Sequence, residues 1–335
     1  LFFLLAYTII LKGLGQRGDS RRALHFAIFC MILVASYGLF QFFVLGHTIV
    51  TSTHRNIHAM SIVIPGVWAY EDPWFQDAAV GHEHLGAYMV MALSLCTGLL
   101  LCGYPKRRRW RWALILLCGS FIFNVLYASS RGAWIGALCS LGVFTLWLLV
   151  TGKVKLLFSI WLIFSVAMVS ITYVLNLSPV EFVDKRVESL LTGKAVRAIL
   201  SNDQSGIEDI SARDRIATFA GLWDRFSQRP LVGWGAGGAG RIAEGQYIRE
   251  LAEGGIVGSF LFMSFLLCCI EIARKHYRAA SDPLVKGSNL GLACGIVGMA
   301  GQSFFTELFI LTKVGGAFWV LVSTIQSMGL QRKDK

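Results

Sequence analysis

The sequence predicts an all-α polytopic membrane protein, and three observations predict it. Hydrophobic residues fill 55% of the 335 positions and charged residues only 15%, against about 25% charged in soluble domains. Mean hydropathy is +0.59. Apolar runs long enough to cross a hydrocarbon core of about 30 Å recur along the whole chain. They are continuous rather than short and alternating, which selects helices over a barrel.

The net charge of +11 would suit a nucleic-acid partner. Its distribution excludes that reading, because most basic residues fall in short loops between apolar runs, where orientation signals sit. Membrane lipids are the expected surroundings. All eight cysteines lie in or at the ends of apolar segments, so no disulfide framework is expected. No CxxC motif or Cys/His cluster suggests a metal, and no cofactor is expected.

Taken in order, the opening LFFLLAYTII reads as the tail of a helix ending at Leu11. It lacks the basic start and the cleavage site of a signal peptide. Lys12, Arg17, Arg21 and Arg22 make the next loop cytoplasmic. A second span covers 24–45 and a loop of mixed character covers 46–84. A third span reaches Cys102, followed by GYPKRRRWRW, the strongest inside signal in the chain. Spans at 112–128, 132–150 and 156–175 alternate across the bilayer and lead into a long polar loop, 176–255. Three more, at 256–273, 288–305 and 313–330, end in the basic tail 331–335. Every short basic loop then falls on one side, and the two polar loops on the other, periplasmic in a bacterium. The expected division is a bundle over 1–175, a large periplasmic loop over 176–255, and a second bundle with a cytoplasmic tail over 256–335.

Within the long loop, Ser211 and Asp214 form a capping-box-like start. Phe219, Leu222 and Phe226 share a helical face with Arg215, and Arg229-Pro230 ends that helix. The pattern fits an amphipathic helix on the membrane surface or over the bundle. GWGAGGAG follows; without the Lys-Ser/Thr of a phosphate loop, it reads as a flexible hinge. A second helical pattern begins near Arg241 and places Glu244, Tyr247 and Leu251 on one face.

Several residues carry candidate chemistry. Arg131 stands at a span boundary on the side where topology needs no positive charge, and an arginine at membrane depth is costly unless paired or hydrated. It either holds a phosphate by bidentate hydrogen bonds or snorkels to the interface. Arg213, Arg215, Arg225 and Arg229 gather guanidinium groups along one helix. Arg225 and Arg229 read as a solvated face, whereas Arg215 lies on the aromatic side. Glu244 is the carboxylate best placed as a general base, or else a first-turn glutamate favoured by the helix dipole. His82, Glu83 and His84 sit directly above the third span, suited to proton shuttling or hydrogen bonding. Trp68, Tyr70 and Trp74 suit sugar stacking or an interfacial belt. For Glu307, pairing with an arginine is the default explanation.

The order SSRGAWIG at a span boundary, Arg215-x-x-x-Phe219, PLVGWGAGG, and EGQYIRELAEGGIVG entering a span resembles the O-antigen ligase and O-antigen/exopolysaccharide polymerase superfamily. The motifs run from about Gly81 to Gly258. The resemblance implies a GT-C-like helical bundle whose large periplasmic loop contains amphipathic helices. It implies an inverting, metal-independent glycosyltransferase of the bacterial inner membrane. The donor would be a glycan on undecaprenyl diphosphate, and the acceptor a sugar hydroxyl on a glycan or glycolipid. Carried over, Arg131 and Arg215, with Arg213 beside them, would bind the diphosphate, while His82, His84, Tyr247 and Trp74 would line the substrate. Glu244 stands where the ligases keep a catalytic histidine, and Gly245 where an asparagine follows. A carboxylate can still act as base, and the change favours a polysaccharide polymerase over a lipid A-core ligase. The competing class is a non-catalytic transporter or flippase of anionic lipid-linked glycans, for which the chain lacks internal symmetry.

Overall fold

The structure, a computed structural model, describes residues 7–13, 19–44, 82–128, 130–174, 210–240, 245–309 and 312–330. Among them every regular element is an α-helix and no strand occurs. After a helical stretch at 7–13, the elements are α1 (Ser20–Phe43), α2 (His82–Leu101), α3 (Arg108–Tyr127), α4 (Arg131–Val150) and α5 (Val154–Val174). They continue with α6 (Ile210–Gln228), α7 (Gln246–Ala279), α8 (Pro283–Gln302) and α9 (Thr312–Leu330). Six of these (α1–α4, α7 and α8) are long and apolar enough to cross a membrane. Two further apolar stretches, Val154–Val166 and Val314–Leu330, are shorter. The chain is a multi-pass helical membrane protein.

It divides into two compact units. The first holds Leu1–Ala167, Leu266–Gln302 and Leu308–Lys335; the second holds Met168–Phe265 and Ser303–Glu307. In the first unit α2 and α8 form the centre, packed together and against α4, and both are mostly buried. Hydrocarbon offers no hydrophobic drive for helices to associate, so small residues that permit close backbone approach dominate such contacts. A Cβ at Gly291 would lie 2.7 Å from the Leu95 Cα, and one at Gly98 would lie 2.5 Å from the Gly287 carbonyl oxygen. Polar side chains join helices as well: Ser94 of α2 and Ser140 of α4 share a 2.7 Å hydrogen bond, and Asn124 of α3 donates to the Ala35 carbonyl of α1 at 3.2 Å.

The basic segments of this unit meet at one end. Arg21 pairs with Asp282 at 2.6 Å, and His25 lies 2.9 Å from the Tyr104 hydroxyl. Lys153 stands over the Trp147 ring, Trp147 meets Tyr277 edge-on, and Lys286 stands over Tyr277. Burial, and then the nearby Asp282 carboxylate, push the Tyr104 phenol above its ordinary value. The opposite end carries the starts of α2 and α4. There Gly86 of α2 lies so close to Ala133 that a Cβ would approach its methyl to 2.5 Å, and Gln302 donates to the Glu83 carbonyl at 3.0 Å.

The second unit is built on α6, the glycine turn 229–240 and the first part of α7. Helix α6 already includes Ile210, so Ser211 sits inside the helix rather than at its N-cap, correcting the capping-box expectation. Its last residue is Gln228, one before Arg229-Pro230, as the proline requires. Leu222 anchors it in a small core with Ala239, Ile248 and Ala252, with Leu251 against them. Helix α7 is two helices spliced at Gly255, whose φ of 62° and ψ of −162° are not helical.

Candidate functional site

The splice at Gly255 explains why two separate sequence stretches must have their glycines. A break in a helix leaves carbonyls unsatisfied on one side and amides on the other. The turn at 230–235 supplies both sets. Trp234 and Gly235 donate to the Ala252 and Glu253 carbonyls at 2.9 and 2.8 Å, while Ile256 and Val257 donate to the Pro230 and Leu231 carbonyls at 2.8 and 3.1 Å. One segment therefore caps the end of the first half of α7 and the start of the second. The exchange works only at backbone distance. A Cβ on Gly233 would lie 2.4 Å from the Glu253 carbonyl group, and one on Gly255 equally close to that of Leu231. Both residues also have positive φ, where a side chain is strained.

The remaining glycine stretch, expected to be a flexible hinge, forms a series of turns. Gly238 donates to the Gly235 carbonyl and Gly240 to that of Gly237, at 2.9 and 3.0 Å. Arg225 donates to the Gly238 carbonyl, Trp234 donates through Nε1 to the Arg225 carbonyl at 2.8 Å, and Arg229 lies 4.0 Å over the Trp234 ring. Arg225 and Arg229 are therefore fastenings of the turn, not merely a solvated helix face.

Beneath the turn, α7 carries an ionic group that the sequence reading passed over. Arg249 donates to Glu253 at 3.0 Å and to Glu307, with only 14%, 19% and 10% of the three side chains exposed. Glu307 thus has its arginine, which the sequence could not identify. Gln246 donates to Glu250 at 2.7 Å, and its amide donates to the Ser303 carbonyl at 2.9 Å. One guanidinium thus bridges two carboxylates in a largely water-excluded place, with the splice holding Glu253 in position. The signal available in sequence was the i,i+4 spacing of Arg249 and Glu253.

The candidate residues fall as follows. In the first unit, His82 and His84 occupy the first turn of α2, where His84 is half-buried. Arg131 is the first residue of α4, capped by Ser130, whose hydroxyl accepts from the Ala133 amide at 3.3 Å. The approach of Gly86 to Ser130 and Ala133 brings these two helix starts together. In the second unit, Tyr247 packs its ring 4.5 Å from that of Phe304. Arg213 and Arg215 lie in the first turns of α6, with their side chains outside the described set. By helical register Arg215 falls two turns before the buried Leu222. Glu244 and Trp74 lie outside the described residues. Helix α7 begins at Gln246, with Gly245 before it non-helical, which corrects the expected start near Arg241.

Among the described residues no group of three or more His, Cys, Asp and Glu is arranged to hold a metal. A cavity of about 650 Å³ in the first unit, near Asp19, Tyr88 and Thr324, contains none of the candidate residues. The chain matches no protein-family model and no curated protein.

Proposed function

We propose that this chain is a GT-C-type membrane glycosyltransferase that polymerises O-antigen or exopolysaccharide at the periplasmic face of the bacterial inner membrane. The donor is a glycan on undecaprenyl diphosphate, and the acceptor is a sugar hydroxyl of another lipid-linked glycan. One observation carries the reading. The motifs PLVGWGAGG and ELAEGGIVG, separate in sequence, are a single structural device, in which Gly233 and Gly255 allow each stretch to cap the other. Their order and spacing resemble those of the polymerase and ligase superfamily, and the device accounts for both glycine patterns at once.

In the proposed reaction the acceptor oxygen attacks the anomeric carbon, and the bond from that carbon to the diphosphate oxygen breaks with inversion. Glu244 takes the acceptor proton. The departing diphosphate carries away the electron pair and is stabilised by Arg131 and Arg215, with Arg213 beside it, an electrostatic role that needs no metal. His82, His84, Tyr247 and Trp74 line the sugar. Glu244 in place of the ligases' histidine favours polymerisation over transfer to lipid A-core.

The test is elongation by the purified chain given a polyprenyl-diphosphate oligosaccharide, with products resolved by length. Glu244→Gln is expected to bind donor without turnover, and full activity in that variant removes Glu244 as base. Arg215→Lys is expected to fail as well, because an ammonium cannot reproduce the guanidinium fork. Transfer only when lipid A-core is added would identify a ligase. Donor translocation across vesicles without any bond change would identify a transporter.

A further inference from the structure

Leu231 and Val232 stand in the middle of the capping turn, yet they are 66% and 68% exposed. A β-branched residue and a leucine side by side at the tip of a well-fastened turn bury little within the chain. Their neighbours are apolar and exposed as well. The hydrogen bonds from Ile256 and Val257 to the Pro230 and Leu231 carbonyls fix the turn against the first turn of the membrane-crossing half of α7. On that half Ile256, Val257, Phe260 and Leu261 are all exposed, as side chains facing lipid are. The apolar surface of the turn is thus continuous with the apolar surface of a span.

We propose that the turn at Leu231 and Val232 is a lipid-inserted wedge, seated among the acyl chains at the level where the second half of α7 enters the bilayer. Three further features fit that seat. Backbone polar groups enter hydrocarbon only when bonded within the protein. Here the Pro230 and Leu231 carbonyls and the Gly233, Trp234 and Gly235 amides all have backbone partners, and Pro230 has no amide hydrogen to satisfy. Trp234, beside the wedge, is exposed and stacked under Arg229, the amphipathic pairing found at headgroup level. On α6, Phe219 and Trp223 are exposed with rings stacked at 6.4 Å. This is an aromatic surface suited to the same interfacial layer. The wedge would fix the depth of the glycine turn whether or not the proposed transfer reaction is correct.

The experiment uses the full chain reconstituted in phosphatidylcholine–phosphatidylglycerol vesicles. Val232→Cys, Leu231→Cys and Ala236→Cys are each labelled with an environment-sensitive nitrobenzoxadiazole, and the parent chain's labelling is subtracted. Ala236 is exposed on the glycine stretch of the same turn and serves as the aqueous control. At 231 and 232 the expected result is blue-shifted emission, loss of intensity with spin-labelled phosphatidylcholine, and slow reduction by dithionite. At 236 the expected result is red-shifted emission and fast reduction. Reduction at 231 and 232 as fast as at 236 would overturn the wedge. So would protection from dithionite without quenching by spin-labelled lipid, which would mean that protein, such as a second copy of the chain, covers the turn.

Discussion

Arg249 is held between Glu253 and Glu307 with little of any of the three side chains exposed, so its removal takes from both carboxylates the guanidinium that joins them. Breaking such a pair from one side costs about 3 kcal/mol. Arg249→Met is expected to lower the thermal midpoint of the detergent-purified chain well below that of Glu307→Gln. The glutamine keeps an acceptor for the guanidinium and should cost about 1 kcal/mol. Equal midpoints for the two variants would show that the charge is not structural. The arrangement also shows where single-residue reading stops. Arg249 and Glu253 share a helix face, and their pairing was legible from spacing, whereas Glu307 lies 58 residues further on. Arg225 and Arg229 looked like solvent-facing charges because nothing in the sequence shows that a glycine carbonyl and an indole face come round to meet them.

At the scale of the element, the splice of α7 makes a sharper demand than a flexible loop would. Gly233→Ala and Gly255→Ala each place a methyl group against a backbone carbonyl at positive φ, at a cost of about 1–3 kcal/mol in strain alone. Gly237 also has positive φ but meets nothing within 4 Å. Gly237→Ala should therefore be clearly milder than the other two when midpoints are compared. A Gly237 variant as damaged as Gly255→Ala would contradict the capping geometry. The two halves of this device were visible in sequence as glycine-rich stretches, but their reciprocity was not, because cap exchange depends on register between segments some twenty residues apart. The glycine ladder of α8 is the opposite case. Gly287, Gly291 and Gly295 recur every four residues, so the pattern was present and predicts the close α2–α8 contact found. Gly291→Leu is expected to abolish folded protein in the membrane, as judged by monodisperse recovery in mild detergent.

Across the first unit, the long apolar helices could be read from the sequence because hydrocarbon thickness and loop charge are strong constraints that act segment by segment, whereas the expected spans at 156–175 and 313–330 correspond to shorter apolar stretches. The structure gathers Arg21, the Tyr104 loop, Lys153 and Lys286 at one end, and the loop charges predict that this end faces the cytoplasm. Cysteines introduced at Lys106 and Lys153 should both resist an impermeant maleimide in intact cells and react after permeabilisation. Labelling of either one in intact cells would break the shared orientation. The candidate site was less legible than the spans. Arg131 and the histidines of α2 were singled out separately, and only the packing of Gly86 against Ser130 and Ala133 brings their helix starts together.

The reciprocal caps at Gly255 also bear on how the protein is made. Residues 230–235 leave the ribosome before residues 252–257, so the reciprocal caps can close only once both sides of the splice have been made. The start of the second helix is thus set by hydrogen bonds with the preceding polypeptide as well as by its own hydrophobicity. A chain with the turn deleted is expected to let the entry point slide along the greasy helix during biogenesis, with Glu253 no longer tied through its carbonyl to Gly235.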